Sequence, residues 1–154
     1  MKGKAMYTRI VVGIDGSELA TKALRHALVL AKDMGAKLFV ITSTEPSVLV
    51  APGAEFMVVD SGAFIADLEE AKGKSAQATL AEAVKLAEAS GVSIETLHVP
   101  SSVAADAIVT TAQQQGADLI VMGSHGRRGL GRLLLGSQAA EVLARSTIPV
   151  LVVK

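Results

Sequence analysis

Cysteine is missing from the 154-residue sequence, and its absence excludes disulfides, thiolate metal sites and thiol catalysis. Tryptophan is missing as well and aromatic residues make up only 3%, so a core must be assembled mainly from the Val, Ile, Leu and Ala within the 50% apolar share. Net charge is also lacking. Fifteen basic residues offset 15 acidic ones, leaving no global field to draw the chain onto nucleic acid or an anionic membrane. No stretch approaches the roughly 18 apolar residues of a membrane span, and the first apolar run is short and broken by Gly13 and Asp15, unlike a signal peptide. The expectation is one domain over residues 1–154, cytoplasmic, with neither nucleic acid nor membrane as partner.

What is present alternates in period. Arg9 to Ile14 reads as a buried strand stopped by the turn Asp15-Gly16-Ser17, and Ser17 is placed to cap a helix. Ala23, Leu24, Ala27, Leu28, Ala31 and Met34 then recur at helical spacing until Gly35. Lys37 to Ile41 gives a second strand running out through Thr42 and Ser43. A long connection with Pro46, Pro52, Gly53 and Gly62 follows, and its apolar residues predict that it packs against something. A helix is expected from about Phe64 to Ser90, weakened near its middle by Gly73, with Gly91 beyond its end. Val92 to Val99 is the third strand, closed by Pro100. Ser101 or Ser102 is expected to cap a helix ended by Gly116, and Asp118 to Met122 is the fourth strand. A helix from about Ser137 to Arg145 leads to the fifth, Ile148 to Val153.

Near-continuous apolar strands between amphipathic helices define an α/β class, with a parallel sheet covered on both faces and right-handed crossovers. Ligands of such sheets collect at the carboxyl ends of the strands, where the strand order reverses. Asp15 and Gly123 both fall at that edge. The segment Gly123 to Ala139, GSHGRRGLGRLLLGSQA, lies between a strand and a helix, and such glycine-rich junctions bring backbone N–H groups and a helix N-terminus to an anion. A nucleotide-binding protein is the reading it favours.

The P-loop pattern G-x-x-x-x-G-K-[ST] is absent, and no G-x-G-x-x-G follows the first strand. Instead Gly123-x-x-Gly126 is followed by nine residues and then Gly136-Ser137. With RIVVGIDGS, LRHAL, GADLIVMGSHG, LLLGSQAAEVL and PVLVV in order, the chain resembles the universal stress protein family, in its ATP-binding branch. The resemblance covers nearly the whole chain. It implies an open five-stranded parallel sheet in the order 3-2-1-4-5 with helices on both faces, of the Rossmann-like, adenine nucleotide alpha hydrolase-like kind. It further implies ATP, ADP or AMP bound between strands one and four, with any Mg²⁺ carried by the phosphates. Gly13 and Asp15 would then border the adenosine, Ser43 would meet the adenine through main-chain groups, and Met122 and Gly123 would border the ribose. Ser124, His125, Gly126, Arg127, Arg128 and Gly129 would wrap toward the phosphates, and Gly136, Ser137, Gln138 and Ala139 would complete the cradle.

Each of these residues also has a plain structural reading. Gly126 and Gly136 permit close backbone approach to a polyanion, or simply form a loop with a glycine turn. Ser137 caps its helix, donates to phosphate, or does both. Asp15 serves adenosine or a phosphate-bound cation, or forms an ordinary Asp-Gly-Ser turn. Arg127, Arg128 and Arg132 offset phosphate charge or remain solvated. His125 belongs to no evident Ser/His/Asp arrangement, and H-E-x-x-H is missing, so neither a dedicated catalytic group nor a protein-built metal site is expected.

A fifth strand at the sheet edge would expose unpaired backbone groups, which predicts a homodimer through Ile148 to Val153. The leading expectation is a stress-response factor whose conformation or partner affinity follows the bound nucleotide. The alternatives are a slow ATPase or nucleotidyl-transfer enzyme using the same pocket, and a dimeric interaction module that binds no nucleotide.

Overall fold

A computed structural model describes residues 3–47, 61–126 and 135–154, and in them strands and helices alternate along the chain. The order is β1 (Arg9–Gly13), α1 (Glu18–Met34), β2 (Lys37–Thr44), α2 (Ser61–Ser90), β3 (Ile94–Pro100), α3 (Ala104–Gln114), β4 (Leu119–Gly123), α4 (Ser137–Arg145) and β5 (Val150–Val153). The strands form one sheet in the order β3-β2-β1-β4-β5. Every neighbouring pair is parallel, with Val12 opposite both Val40 and Val121 at the centre. This is the arrangement implied by the family resemblance.

Strand alternation sorts the core into two layers. Ile10, Val12, Leu38, Val40, Leu119 and Val121 face α1 and α2, where Ala23, Leu24, Ala27, Leu80, Ala83 and Ala87 meet them. Val11, Phe39, Ile41, Ile120 and Met122 face the other way, onto Ala105, Ile108, Ala112, Ala139 and Val142 of α3 and α4. Both faces being covered explains why β1, β2 and β4 read as unbroken apolar runs rather than alternating ones. Among the described residues no helix is long and apolar enough to cross a membrane.

Helix ends follow the glycines. Gly35, Gly91 and Gly116 have φ of 66°, 70° and 61°, a left-handed conformation that costs glycine least, and each reverses the chain just past a helix. The next residue then donates back into the last turn, Ala36 to Ala31, Val92 to Ala87 and Ala117 to Ala112. Because Val92 is committed to that bond, β3 starts at Ile94 rather than at Val92. The expected caps Ser101 and Ser102 do not cap α3. Ser101 adopts φ 54°, the Ser102 N–H donates to Thr44 O at 3.0 Å, and Val103 stands at the N-cap without a side-chain bond. Gly73 is tolerated inside α2, where a methyl group would meet nothing within 4 Å. The fifth strand begins at Val150, since Ile148 is held in a turn by Ser146, whose hydroxyl donates to Ile148 O and accepts from Ile148 N–H.

Candidate functional site

The exits of β1 and β4 lie side by side at the carboxyl edge, because β1 and β4 are neighbours although five other elements of sheet and helix separate them in sequence. Beyond Gly13 the chain makes one more ladder bond, Ile14 N–H to Ile41 O at 2.9 Å, and then turns. Asp15 shapes that turn by accepting the Ser17 N–H on Oδ1 at 2.9 Å, and Gly16 supplies a φ of 80°. Ser17 then caps α1, its hydroxyl accepting from Ala20 N–H at 3.2 Å as expected.

On the β4 side the Ser124 N–H donates to Val153 O at 2.8 Å, carrying the β4–β5 pairing one residue past the strand. Gly123 packs on the first turn of α1. A Cβ there would lie 3.1 Å from Leu19 Cγ. Gly126 lies against the other carboxylate oxygen of Asp15, since a Cβ at Gly126 would come closer than 3.0 Å to Oδ2. That contact joins the two exits directly. Gly136 returns to the same place: its N–H donates to Ser124 O at 2.6 Å, and a Cβ would meet Ser124 O at 3.0 Å and His125 Cα at 3.1 Å. Both glycines are therefore demanded by the protein's own atoms, which close the mouth of the glycine-rich segment.

Gly136 is also the N-cap of α4, so Ser137 is the first helical residue and its hydroxyl does not cap the helix, contrary to one of its two expected roles. The first intrahelical bond runs from Ala140 N–H to Gly136 O at 3.0 Å. The N–H groups of Ser137, Gln138 and Ala139 consequently have no partner inside α4, and the helix dipole places partial positive charge on them. Gln138 directs its side chain elsewhere, its Oε1 accepting from Ala105 N–H at 2.9 Å at the start of α3. This bond caps α3 in place of the serines, and it commits the Gln138 side-chain oxygen to α3 rather than to the cradle.

Ser43 lies half-buried in β2 opposite Val99, two residues beyond Ile41, which pairs with Gly13. Thr44 follows it and bonds His98 Nε2 through Oγ1 at 2.9 Å. Sequence reasoning did not single out this pair. Strand register does not announce it, because Thr42, not Thr44, stands opposite His98. Met122 is buried against α3 and α4, and Gly13 packs on Ile108. Arg127, Arg128 and Gly129, with Arg132, lie outside the described residues.

Chemically, the described residues of the edge offer main-chain donors and one carboxylate. The Ser124 hydroxyl reaches His125 Nδ1 only at 3.3 Å, and Ser124 is buried at 3% exposure. Among the described residues no cluster of His, Asp and Glu could hold a metal ion. Asp118 is the strongly engaged carboxylate, and it stands at the opposite edge. Burial opposes its ionisation, but the N–H groups of Arg9 and Thr8 and the Thr8 hydroxyl outweigh this and hold the carboxyl below its usual range. It ties the entries of β1 and β4 together and takes no part in the site.

The model of the universal stress protein family matches residues 6–154. The chain belongs to the universal stress protein family. Universal stress protein MJ0531 of Methanocaldococcus jannaschii is 39% identical over 152 residues, spanning 99% of this chain and 85% of that protein. Among solved structures, a universal stress protein in complex with cAMP aligns with a TM-score of 0.66 at 31% identity, covering 95% of each chain. The universal stress protein from Archaeoglobus fulgidus in complex with dAMP aligns with a TM-score of 0.67 at 25% identity, covering 97% of this chain and 99% of that one. Family members of this fold thus include proteins that hold adenosine monophosphates.

Proposed function

We propose that this protein binds an adenine nucleotide at the β1/β4 edge and works as a cytoplasmic, nucleotide-dependent regulator of a stress response. The observation that carries the reading is the closure at Gly126 and Gly136. It brings the Asp15 turn, the Gly123–Gly126 backbone and the start of α4 to one place, as an anion seat requires. The cAMP and dAMP complexes of family members support the adenine nucleotide class. In this reading Gly13 and Asp15 border the adenosine, Ser43 the base, and Met122 and Gly123 the ribose. The backbone from Ser124 to Gly129 and from Gly136 to Ala139 holds the phosphates, aided by Arg127 and Arg128. ATP, with Mg²⁺ on its phosphates, is the form we assign.

Calorimetry with ATP, ADP, AMP and cAMP, with and without Mg²⁺, tests the assignment, together with mass spectrometry of any molecule released on denaturation. Binding of ATP without sustained phosphate release is the expected result. Failure of all four to bind refutes the reading. The edge strand β5 leaves Leu151 36% exposed, with Leu143 of α4 exposed at 45%, and we assign this surface to a homodimer. Light scattering should then give twice the 15.8 kDa chain mass.

A further inference from the structure

Helix α2 is far longer than the strands it covers. Its 30 residues span about 45 Å, whereas the 8 residues of β2 span roughly 26 Å. A crossover helix runs back against its strands, so the excess belongs to its N-terminal half and stands at the carboxyl edge. Burial agrees: the fully packed residues Ala76, Leu80, Ala83 and Ala87 all lie in the second half. The same helix face continues upward through Lys72 and Glu69, three residues apart, and there it meets polar backbone instead of the core.

Both residues grip the chain leaving β2. Glu69 Oε1 accepts the Ser47 N–H at 2.8 Å, and Lys72 Nζ donates to Glu45 O at 2.7 Å. The two side chains are 3.9 Å apart, so each also offsets the other's charge. The Ser47 hydroxyl and the Ser47 N–H beside the carboxylate hold Glu69 below its usual range against the cost of burial, with a further push from Lys72. From the β3 side, Ser102 N–H and His98 fix Thr44. The backbone just past Ser43 is thereby held from two directions.

We infer that Glu69 and Lys72 are positioning residues for base recognition: by clamping Glu45 and Ser47 they hold the exit of β2 in the one conformation that presents its main chain to adenine. This rests on the nucleotide reading above. A base read by main-chain groups is selected only as well as that backbone is held, because a loose strand end must be ordered on binding.

The test compares ATP, GTP and inorganic tripolyphosphate by calorimetry in wild type, Glu69→Ala, Lys72→Met and Glu69→Gln. The alanine and methionine variants should lose about three- to ten-fold in ATP affinity and in ATP-over-GTP preference. Tripolyphosphate affinity should stay within about two-fold, and Glu69→Gln, which retains an oxygen acceptor, should stay near wild type. Exchange of the Ser47 amide should also quicken in Glu69→Ala. Unchanged ATP affinity, an equal loss for tripolyphosphate, or unaltered Ser47 exchange would each overturn the inference while sparing the nucleotide site. A wild-type chain that binds no adenine nucleotide would instead overturn the functional reading and this inference together.

Discussion

Placing a methyl group on Gly126 should damage the protein through one partner, Asp15. The new Cβ would come closer than 3.0 Å to Asp15 Oδ2, where ordinary contact begins at 3.4 Å. The carboxylate must then retreat by on the order of 1 Å, since dispersion contacts turn sharply repulsive at shorter range. That retreat stretches the 2.9 Å bond from the Ser17 N–H to Oδ1 beyond hydrogen-bond reach. Losing a charge-assisted bond at a half-buried turn costs about 1–2 kcal/mol. Removing the carboxylate first removes the obstacle, so Gly126→Ala should cost little in an Asp15→Ala background. Equilibrium urea denaturation of the two single variants and the double variant measures this, with an expected coupling of about 1 kcal/mol. If Gly126→Ala were equally destabilising in both backgrounds, the contact with Asp15 would not be the reason for the glycine.

Gly136→Ala meets backbone atoms at 3.0 and 3.1 Å that cannot swing aside, so it should cost about 1–3 kcal/mol by the same denaturation assay and not be rescued by Asp15→Ala. Ser137→Ala removes no helix cap, so stability should hold within about 0.5 kcal/mol while calorimetry shows weaker ATP binding if the hydroxyl donates to phosphate. Asp118 has a depressed folded-state pKa, so its stabilisation is present above the ordinary carboxylate value of 3.8 and is lost as pH falls through the lower folded value. Asp118→Ala should therefore cost about 1–2 kcal/mol at neutral pH, discounted for partial exposure, and should flatten the acid limb of a stability-against-pH curve.

The legible parts of the sequence were those governed by neighbours a few residues away. Buried strands announce themselves as apolar runs, and Gly35, Gly91 and Gly116 mark helix ends because only a left-handed residue closes the final turn. Ser17 was legible as a cap for the same reason. Misreadings arose where a partner distant in sequence took the group that a local rule would have used. Ser102 looks like a cap for α3, yet its N–H is tied to Thr44 O, its hydroxyl donates to Val103 O, and the bond it would have accepted goes to Gln138. Ser137 looks like a cap for α4, yet Gly136 occupies that place because only a residue without a side chain fits against Ser124 and His125.

The motif itself shows how spacing and function are connected here. Gly126 and Gly136 read in sequence as room left for a phosphate, but the space a side chain would fill at each is already taken by Asp15, Ser124 and His125. Their first duty is therefore closure. Anchoring both ends of residues 126–136 at the β4 exit fixes where α4 begins, and hence where the N–H groups of Ser137, Gln138 and Ala139 stand relative to Asp15. A nucleotide would meet donors whose positions were set before it arrived, which lowers the ordering cost of binding. It follows that substitutions at these glycines act on folding and affinity together. Ser137, which is exposed and caps nothing, is the place in the motif where the two effects separate.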